Sequence, residues 1–580
     1  MQMNRREFLQ LLAIAAASGL AIDSKSALAG NHSALYKVPR HGNVSFLHFT
    51  DCHAQLLPIW FREPNVNIGV GPANGKVPHL VGEHLLKHSG IKRGTAEAHA
   101  FTYLDFAEAA KVYGKVGGFA HLKTLVDMMR AQRPGALLLD GGDTWQGSAT
   151  SLWTNAQDMV DGCIKLGVDI MTPHWEATFG ADRMMEIVNK DFKKANLDFV
   201  AQNILTNDFG DQVFKPYTLR EQNGVKVAVV GQAFPYTPIA NPAHMIPDWT
   251  YGIRDDSLQK WVNEARAKGA QVVVVLSHNG MDVDLKMASR IYGVDAIFGG
   301  HTHDGVPKPV PVKNARGGTT LVTNAGSNGK FLGVMDFDVR GGKVQSFKYR
   351  LLPVFSNLLP ADPGMEAFIK KVRAPYEEKL AKPLAVTEEL LYRRGNFNGT
   401  WDQLICDALM EVRGADAAFS PGVRWGTSIL PGETITYERM MDQMALTYPA
   451  TTLNEFTGAQ IKEIMEDVAD NIFNFDPYYQ QGGDMVRVGG IQYTINPNAK
   501  IGNRISHMTL KGKPMDPNKK YKVAGWASVQ PNVTGTPIWD VVEQYLTSKK
   551  VIKNVVLNEP KIVGIGTRNP GIADYRGGLS

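Results

Sequence analysis

The segment Val44-Ser45-Phe46-Leu47-His48-Phe49-Thr50-Asp51-Cys52-His53 decides the fold. Its first seven residues are rich in apolar and β-forming side chains, the composition of a strand buried in a layered sheet. The run stops on Asp51 and His53, two residue types that bind cations. In extended backbone alternate side chains point the same way, which would aim both at one ion and turn Cys52 away from it.

The same arrangement recurs downstream. A run at 136–140 leads into Gly141-Gly142-Asp143-Thr144-Trp145-Gln146-Gly147. The glycines let the backbone turn tightly and present Asp143, whose two oxygens can bridge two cations. A valine-rich run at 271–277 leads into His278-Asn279-Gly280, and 296–299 leads into Gly300-His301-Thr302-His303. Each motif alone is an ordinary strand exit. Four in this order form a constellation whose His and Asp donors, without cysteine, suit Mn²⁺, Zn²⁺, Fe or Co. Further strands are predicted at 199–202 and 226–231, with amphipathic helices at 119–132, 181–196, 256–268 and 282–292 between them. The class is α/β, with sheets and helices in layers over residues 40–356 and a site at the carboxyl ends of the strands.

Three further segments organise the chain. Residues 62–116 read as a long loop rimming the site. Residues 361–383 read as a charged connecting helix. Residues 384–575 read as a second, smaller α/β domain, with a Gly-rich tail on the surface from Arg568 onward. Residues 1–29 carry Arg5-Arg6 before Phe8-Leu9, a short apolar run and Ala27-Leu28-Ala29, which resembles a twin-arginine export signal; the alternative is a Sec signal in which the arginines only supply charge. The expected destination is the periplasm, with no membrane anchor once the signal is removed. Cys52, Cys163 and Cys406 are odd in number and widely spaced, which argues for free thiols. Composition limits the function classes. The 580 residues are 44% hydrophobic and 21% charged, with a net charge of only +5. That is too little charge for an electrostatic case for nucleic acid, and a mean hydropathy of −0.19 argues against a polytopic membrane protein.

The series DxH, GDxxQG, SHxG and GHxH resembles the calcineurin-like metallophosphoesterases, and in particular the periplasmic 5′-nucleotidase family. The resemblance implies a four-layer α/β/β/α domain followed by a 5′-nucleotidase-type C-terminal domain. It also implies two metals, one on Asp51, His53 and His303, the other on His278 and His301, with Asp143 bridging. The chain departs from the family at one motif. Where Gly-Asn-His-Glu is usual, it reads Pro173-His174-Trp175-Glu176. His174 falls on the ligand position and Trp175 on that of the catalytic histidine, and an indole cannot donate a catalytic proton. This departure, together with Leu391–Thr400 and Ser420–Gly426, resembles the SoxB family of thiosulfohydrolases. That resemblance implies two Mn²⁺, with Zn²⁺ satisfied by the same ligands. It implies a cysteine S-thiosulfonate or S-sulfonate substrate on the C-terminal arm of SoxY, within the SoxYZ carrier, and sulfate as product.

Around the metals, Arg424 is expected to clamp an anion, with Arg394, Asn396 and Asp484 orienting substrate. Glu176 is expected to hydrogen-bond a ligand histidine or act as a base, and Asn203 to steady a ligand. Phe473, Phe475, Tyr478 and Tyr479 read as core, or as a base-stacking surface. The alternatives are a periplasmic 5′-nucleotidase or phosphodiesterase, and a non-catalytic metal- or carrier-binding protein.

Overall fold

The computed structural model describes residues 34–566 and 568–572. The signal expected at 1–29 and the last eight residues lie outside the described residues. Twelve strands build the two main sheets of the first domain: β1 (Val44–Phe49), β2 (Leu137–Asp140), β3 (Ile170–Met171), β4 (Asp198–Phe199), β5 (Tyr217–Gln222), β6 (Val225–Gln232), β7 (Val272–Ser277), β8 (Ala296–Gly299), β9 (Val310–Lys313), β10 (Thr319–Asn324), β11 (Phe331–Arg340) and β12 (Lys343–Pro353). They form two six-stranded sheets, ordered β12-β11-β1-β2-β3-β4 and β9-β10-β8-β7-β6-β5.

The apolar strands alternate between two buried faces. Val227 and Val229 of β6, and Val272 and Val274 of β7, meet Phe46, Leu139 and Phe298 in the core between the sheets. Ala228, Val230, Val273 and Val275 point the other way, under the helices Asp255–Ala267 and Met281–Arg290. Leu47, Phe49 and Leu138 face outward from the first sheet, under the helices Phe119–Gln132 and Gln157–Leu166. A period of two in wholly apolar strands therefore yields four layers, because neither face meets water.

Strands β1, β2 and β3 run parallel, as do β7 and β8. Their carboxyl ends lie along one edge of the sandwich, and every metal-binding motif leaves the sheets there. The strand expected at 199–202 is shorter, because Val200 leaves the ladder for an isolated bridge to Lys215.

In the second domain a four-stranded sheet holds Ala417–Gly422, Thr451–Thr457, Asp484–Gly489 and Lys520–Trp526. The helices Thr400–Arg413 and Ile538–Lys549 belong to a core with Leu391, Trp425 and Trp526. The helix Gly458–Phe473 packs into another core, on Met485, Val488 and Val523.

Two expectations are corrected here. The 62–116 segment is not a rim loop. It contains the helices Gly82–Ser89, Ala96–Phe101 and Phe106–Tyr113, and it inserts Val66, Ile68 and Val70 into the core of the second domain. The tail at 568–572 is not a surface tail either. Ile572 is buried and bridges Val66, while Gly571 O accepts from Asn67 N at 2.7 Å. The connecting helix, Pro363–Arg373, buries Met365 and Ile369 in the first domain, and the second domain begins with the strand Pro383–Thr387. Cys52, Cys163 and Cys406 are all buried free thiols.

Because Ile68 fills the core of the other domain, truncation to alanine leaves a cavity that the surroundings can only partly close. Ile68→Ala is expected to lower stability by about 2–5 kcal/mol in urea denaturation. Substitution of the exposed Phe209 (84% accessible) by serine should stay within about 0.5 kcal/mol. A loss at Ile68 no larger than at Phe209 would contradict its seating in the second domain's core.

Candidate metal centre

Seven residues meet at the sandwich edge: Asp51, His53, Asp143, His174, His278, His301 and His303, none more than 8% exposed. They fall into two overlapping groups. Asp51, His53, Asp143 and His303 form one, and Asp143, His174, His278 and His301 the other, with ligand atoms within 4.8 Å in each. Asp143 belongs to both. Its Oδ2 lies 3.0 Å from His278 Nε2 and 3.7 Å from His53 Nε2, and its Oδ1 lies 3.0 Å from His174 Nδ1. Asp51 Oδ1 lies 3.1 Å from His303 Nε2.

The way Asp51 and His53 reach the site differs from extended alternation. Both are left-handed, with φ of 53° and 46°, as are Asp143 (56°), His301 (70°) and His303 (59°). Left-handed backbone in a residue bearing a Cβ costs about 1–3 kcal/mol, and such positions persist only where their surroundings over-determine them. Here they do. Asp51 N donates to Gly142 O at 2.8 Å, His53 N to Asp143 O at 2.8 Å and Asn328 N to Asp51 O at 2.7 Å. His301 N donates to Asp51 Oδ1 at 3.0 Å. Gly142 is required beside them: a Cβ there would sit 2.4 Å from Thr172 O.

The ring orientations are set from behind. His278 Nδ1 donates to Gly141 O at 2.5 Å, which turns Nε2 toward Asp143. His53 Nδ1 faces Gln146 O at 3.2 Å. Phe234, just beyond β6, stacks on His301 with centroids 4.1 Å apart. Burial disfavours charge on His278, but Asp143 and Asp51 outweigh it and raise its pKa. Asp143 is held well below the carboxylate range, because His174 and His278 outweigh its burial.

These donors fit a pair of divalent cations. His174 Nε2, His303 Nδ1 and both ring nitrogens of His301 are buried without hydrogen-bond partners. Leaving such atoms unpaired costs about 1–3 kcal/mol apiece. Cations between them would satisfy several at once, and the mixed imidazole and carboxylate set suits Mn²⁺ or Zn²⁺. Cys52 faces the core instead.

A cavity of about 310 Å³ opens over the centre. His53, Asp143, His174, His301 and His303 form its floor; Trp175, Trp425, Tyr448, Leu446, Val529 and Arg424 are among its walls. Trp175 meets Trp425 edge-on at 5.3 Å and lies nearly parallel to Tyr448. Trp425 stacks on His53 at 5.5 Å. Phe234 and Tyr448 carried no sequence signal beyond their place in the chain.

Other expected site residues have different work. Glu176 is not a partner of a ligand ring. Its carboxylate accepts from the backbone N–H groups of His174 (2.7 Å), Thr144 (2.8 Å), Asp143 (3.3 Å) and Trp145 (3.3 Å). It ties two ligand-bearing loops together. Asn396 Oδ1 accepts from Ile68 N at 2.8 Å and so anchors the inserted segment. Asn203 holds Ala233, next to Phe234, rather than a ligand. Only Phe473 of the aromatic run is in the core. Tyr478 packs under Lys286, Phe475 and Tyr479 are exposed, and none of the four lines the cavity over the centre.

Asp484 sits among guanidinia. Arg424 Nε donates to its Oδ1 at 3.1 Å, Arg487 Nη2 to its Oδ2 at 3.0 Å, and Arg394 Nε lies 3.8 Å from Oδ2. Burial pushes the pKa of Asp484 up, and Arg394, Arg424 and Arg487 outweigh it and hold the pKa down.

Residues 44–305 match the calcineurin-like phosphoesterase family, and residues 387–544 the 5′-nucleotidase C-terminal domain. The structure is similar to the Thermus thermophilus sulfate thiohydrolase SoxB, with a TM-score of 0.86 and 36% identity over 92% of this chain and 99% of that one. The chain belongs to the SoxB family. It is thus a hydrolase of the calcineurin-like superfamily, with residues placed for two metals. A Thermus thermophilus 5′-nucleotidase precursor shares the fold, with a TM-score of 0.70, 21% identity and coverage of 90% and 99%. Human 5′-nucleotidase is 26% identical over 67% of this chain and 72% of its own length.

Since Asp143 is common to both groups, Asp143→Ala is expected to reduce metal content after dialysis from about two ions per chain to below one, whereas His174→Ala retains about one. Inductively coupled plasma mass spectrometry gives the count. Two ions retained without Asp143 would rule out its bridging place.

Proposed function

We propose that the protein is a periplasmic thiosulfohydrolase, exported by the twin-arginine route. It would remove the terminal sulfonate from a cysteine S-thiosulfonate, or related S-sulfonate, on the SoxY arm of the SoxYZ carrier. The observation that carries this reading is Trp175 in the cavity wall beside a complete ligand set, at the position where the phosphoesterases it resembles hold a proton donor. Membership of the SoxB family and the largely apolar cavity walls support it.

The reaction is Cys–S–S–SO3⁻ + H2O → Cys–S–SH + SO4²⁻ + H⁺. Water oxygen bonds to the terminal sulfur, the S–S bond breaks, and its electron pair stays on the leaving sulfur. Two divalent cations, manganese in this reading, held by Asp51, His53, Asp143, His174, His278, His301 and His303, would supply an acidified water and positive charge for the sulfonate oxygens. Arg424, at the cavity wall beside His301, adds fixed positive charge to the same anion. Trp175, Trp425 and Tyr448 exclude solvent and offer ring edges and faces to the sulfur chain. A persulfide is a far weaker base than an alkoxide and leaves with less protonation. That is why Trp175 can stand where an alkoxide leaving group would require an acid.

A nucleotidase is the second reading, favoured by the curated relatives, and substrate separates the two. Manganese-loaded protein is expected to release sulfate from a thiosulfonate-loaded SoxYZ carrier and little phosphate from AMP. Phosphate without sulfate would overturn the proposal. Trp175→His is expected to raise phosphatase activity about 10-fold or more, since a positioned acid contributes about 10²–10⁴-fold. No gain would sink the link between Trp175 and the leaving group.

A further inference from the structure

The second domain carries a buried charge network that reaches the metal centre. Arg393 pairs with Asp402 at 2.7 Å. Arg487, fully buried, bridges Asp402 at 3.1 Å and Asp484 at 3.0 Å. Asp484 then meets Arg424 and Arg394. Four guanidinia face two paired carboxylates, with the Asp304 carboxyl also close to Arg394 and Arg424. Both outer arginines also touch the metal-binding loop: Arg424 Nη1 lies 3.4 Å from His301 O and Arg394 Nη2 lies 3.2 Å from Thr302 O.

The Arg424 guanidinium is gripped most closely from the Asp484 side, with a longer bond from Nη1 to His301 O. Its Nε goes to Asp484 and its Nη2 to Gly483 O at 2.6 Å. The remaining Nη1 side is directed at the His301 turn, at the floor of the cavity. Backbone register makes this grip rigid, because Asp484 opens a strand paired with Gly422, two residues before Arg424. An arginine on a surface loop would lose side-chain entropy on ordering around an anion. One already held by a buried carboxylate does not.

We infer that Asp484 is a positioning residue: it does not touch substrate, and it holds Arg424, with Arg394 beside it, as a preformed seat for the oxygens of a sulfonate over the metal centre. The inference rests on the thiosulfohydrolase reading. It assigns Asp484 a task on the arginines rather than on the substrate itself.

The test is calorimetric titration of the metal-loaded protein with methanesulfonate, alongside metal content and melting temperature. Asp484→Asn is expected to weaken binding about 10- to 100-fold, the worth of a hydrogen bond between charged groups. In an Arg424→Ala background the same change should cost less than about 3-fold, because the residue through which Asp484 acts is gone. Binding unchanged in Asp484→Asn, or a full loss repeated in the Arg424→Ala background, overturns the inference while leaving the thiosulfohydrolase reading intact. Wild-type protein that does not bind methanesulfonate removes the sulfonate seat and the inference with it. If Asp484→Asn does not fold, Arg424→Lys decides, since it keeps the charge and loses the Nε–H that Asp484 grips. Binding close to that of Arg424→Ala supports the inference, and wild-type binding overturns it.

Discussion

The carboxylate of Asp143 is the point on which both halves of the centre converge. Without a counter-charge, two groups of imidazoles buried within a few ångströms of one another would have to lose either their protons or their proximity. Asp143 gives them a common anionic partner, and Asp51 supplies the second negative charge. Four of the seven donor residues come from the first sheet and its exits, and three from the second. The shared carboxylate therefore also links donors carried by the two sheets.

Holding that carboxylate requires backbone that most residues avoid. Five of the donor residues are left-handed, each at a cost of about 1–3 kcal/mol. The offset is local and visible. Glu176 gathers four backbone N–H groups from the loops of Asp143 and His174, and Asp51 receives His301 N. A buried carboxylate whose lone pairs are all used on backbone is an organiser.

The second domain contributes charge and enclosure rather than ligands. It closes the cavity with Trp425, Leu446 and Tyr448 and brings the arginine network up to the His301 turn. That contribution depends on the two domains being held together, and the clasp is two-sided. Val66, Ile68 and Val70 of the first domain lie in the second domain's core, and residues 569–572 return to pair with them. A domain interface made by interpenetrating cores has no low-energy way to slide, so the seat keeps its place over the metals.

The sequence by itself determined the layered α/β class, the chain order of strands and which residues gather as candidate metal donors. Those features are local: an apolar run followed by a polar donor records both the strand and the place where it meets solvent or metal. Asp51, His53, Asp143, His174, His278, His301 and His303 were legible for that reason, and so was the exchange at Trp175. What tertiary structure decided was direction and partnership. The left-handed turns at Asp51 and His53, the four N–H groups around Glu176, the tie from Asn396 to Ile68 and the arginines around Asp484 all join residues far apart in the chain. A side chain's residue type states what it can bind. Only the packing of distant segments settles which donor or acceptor reaches it first.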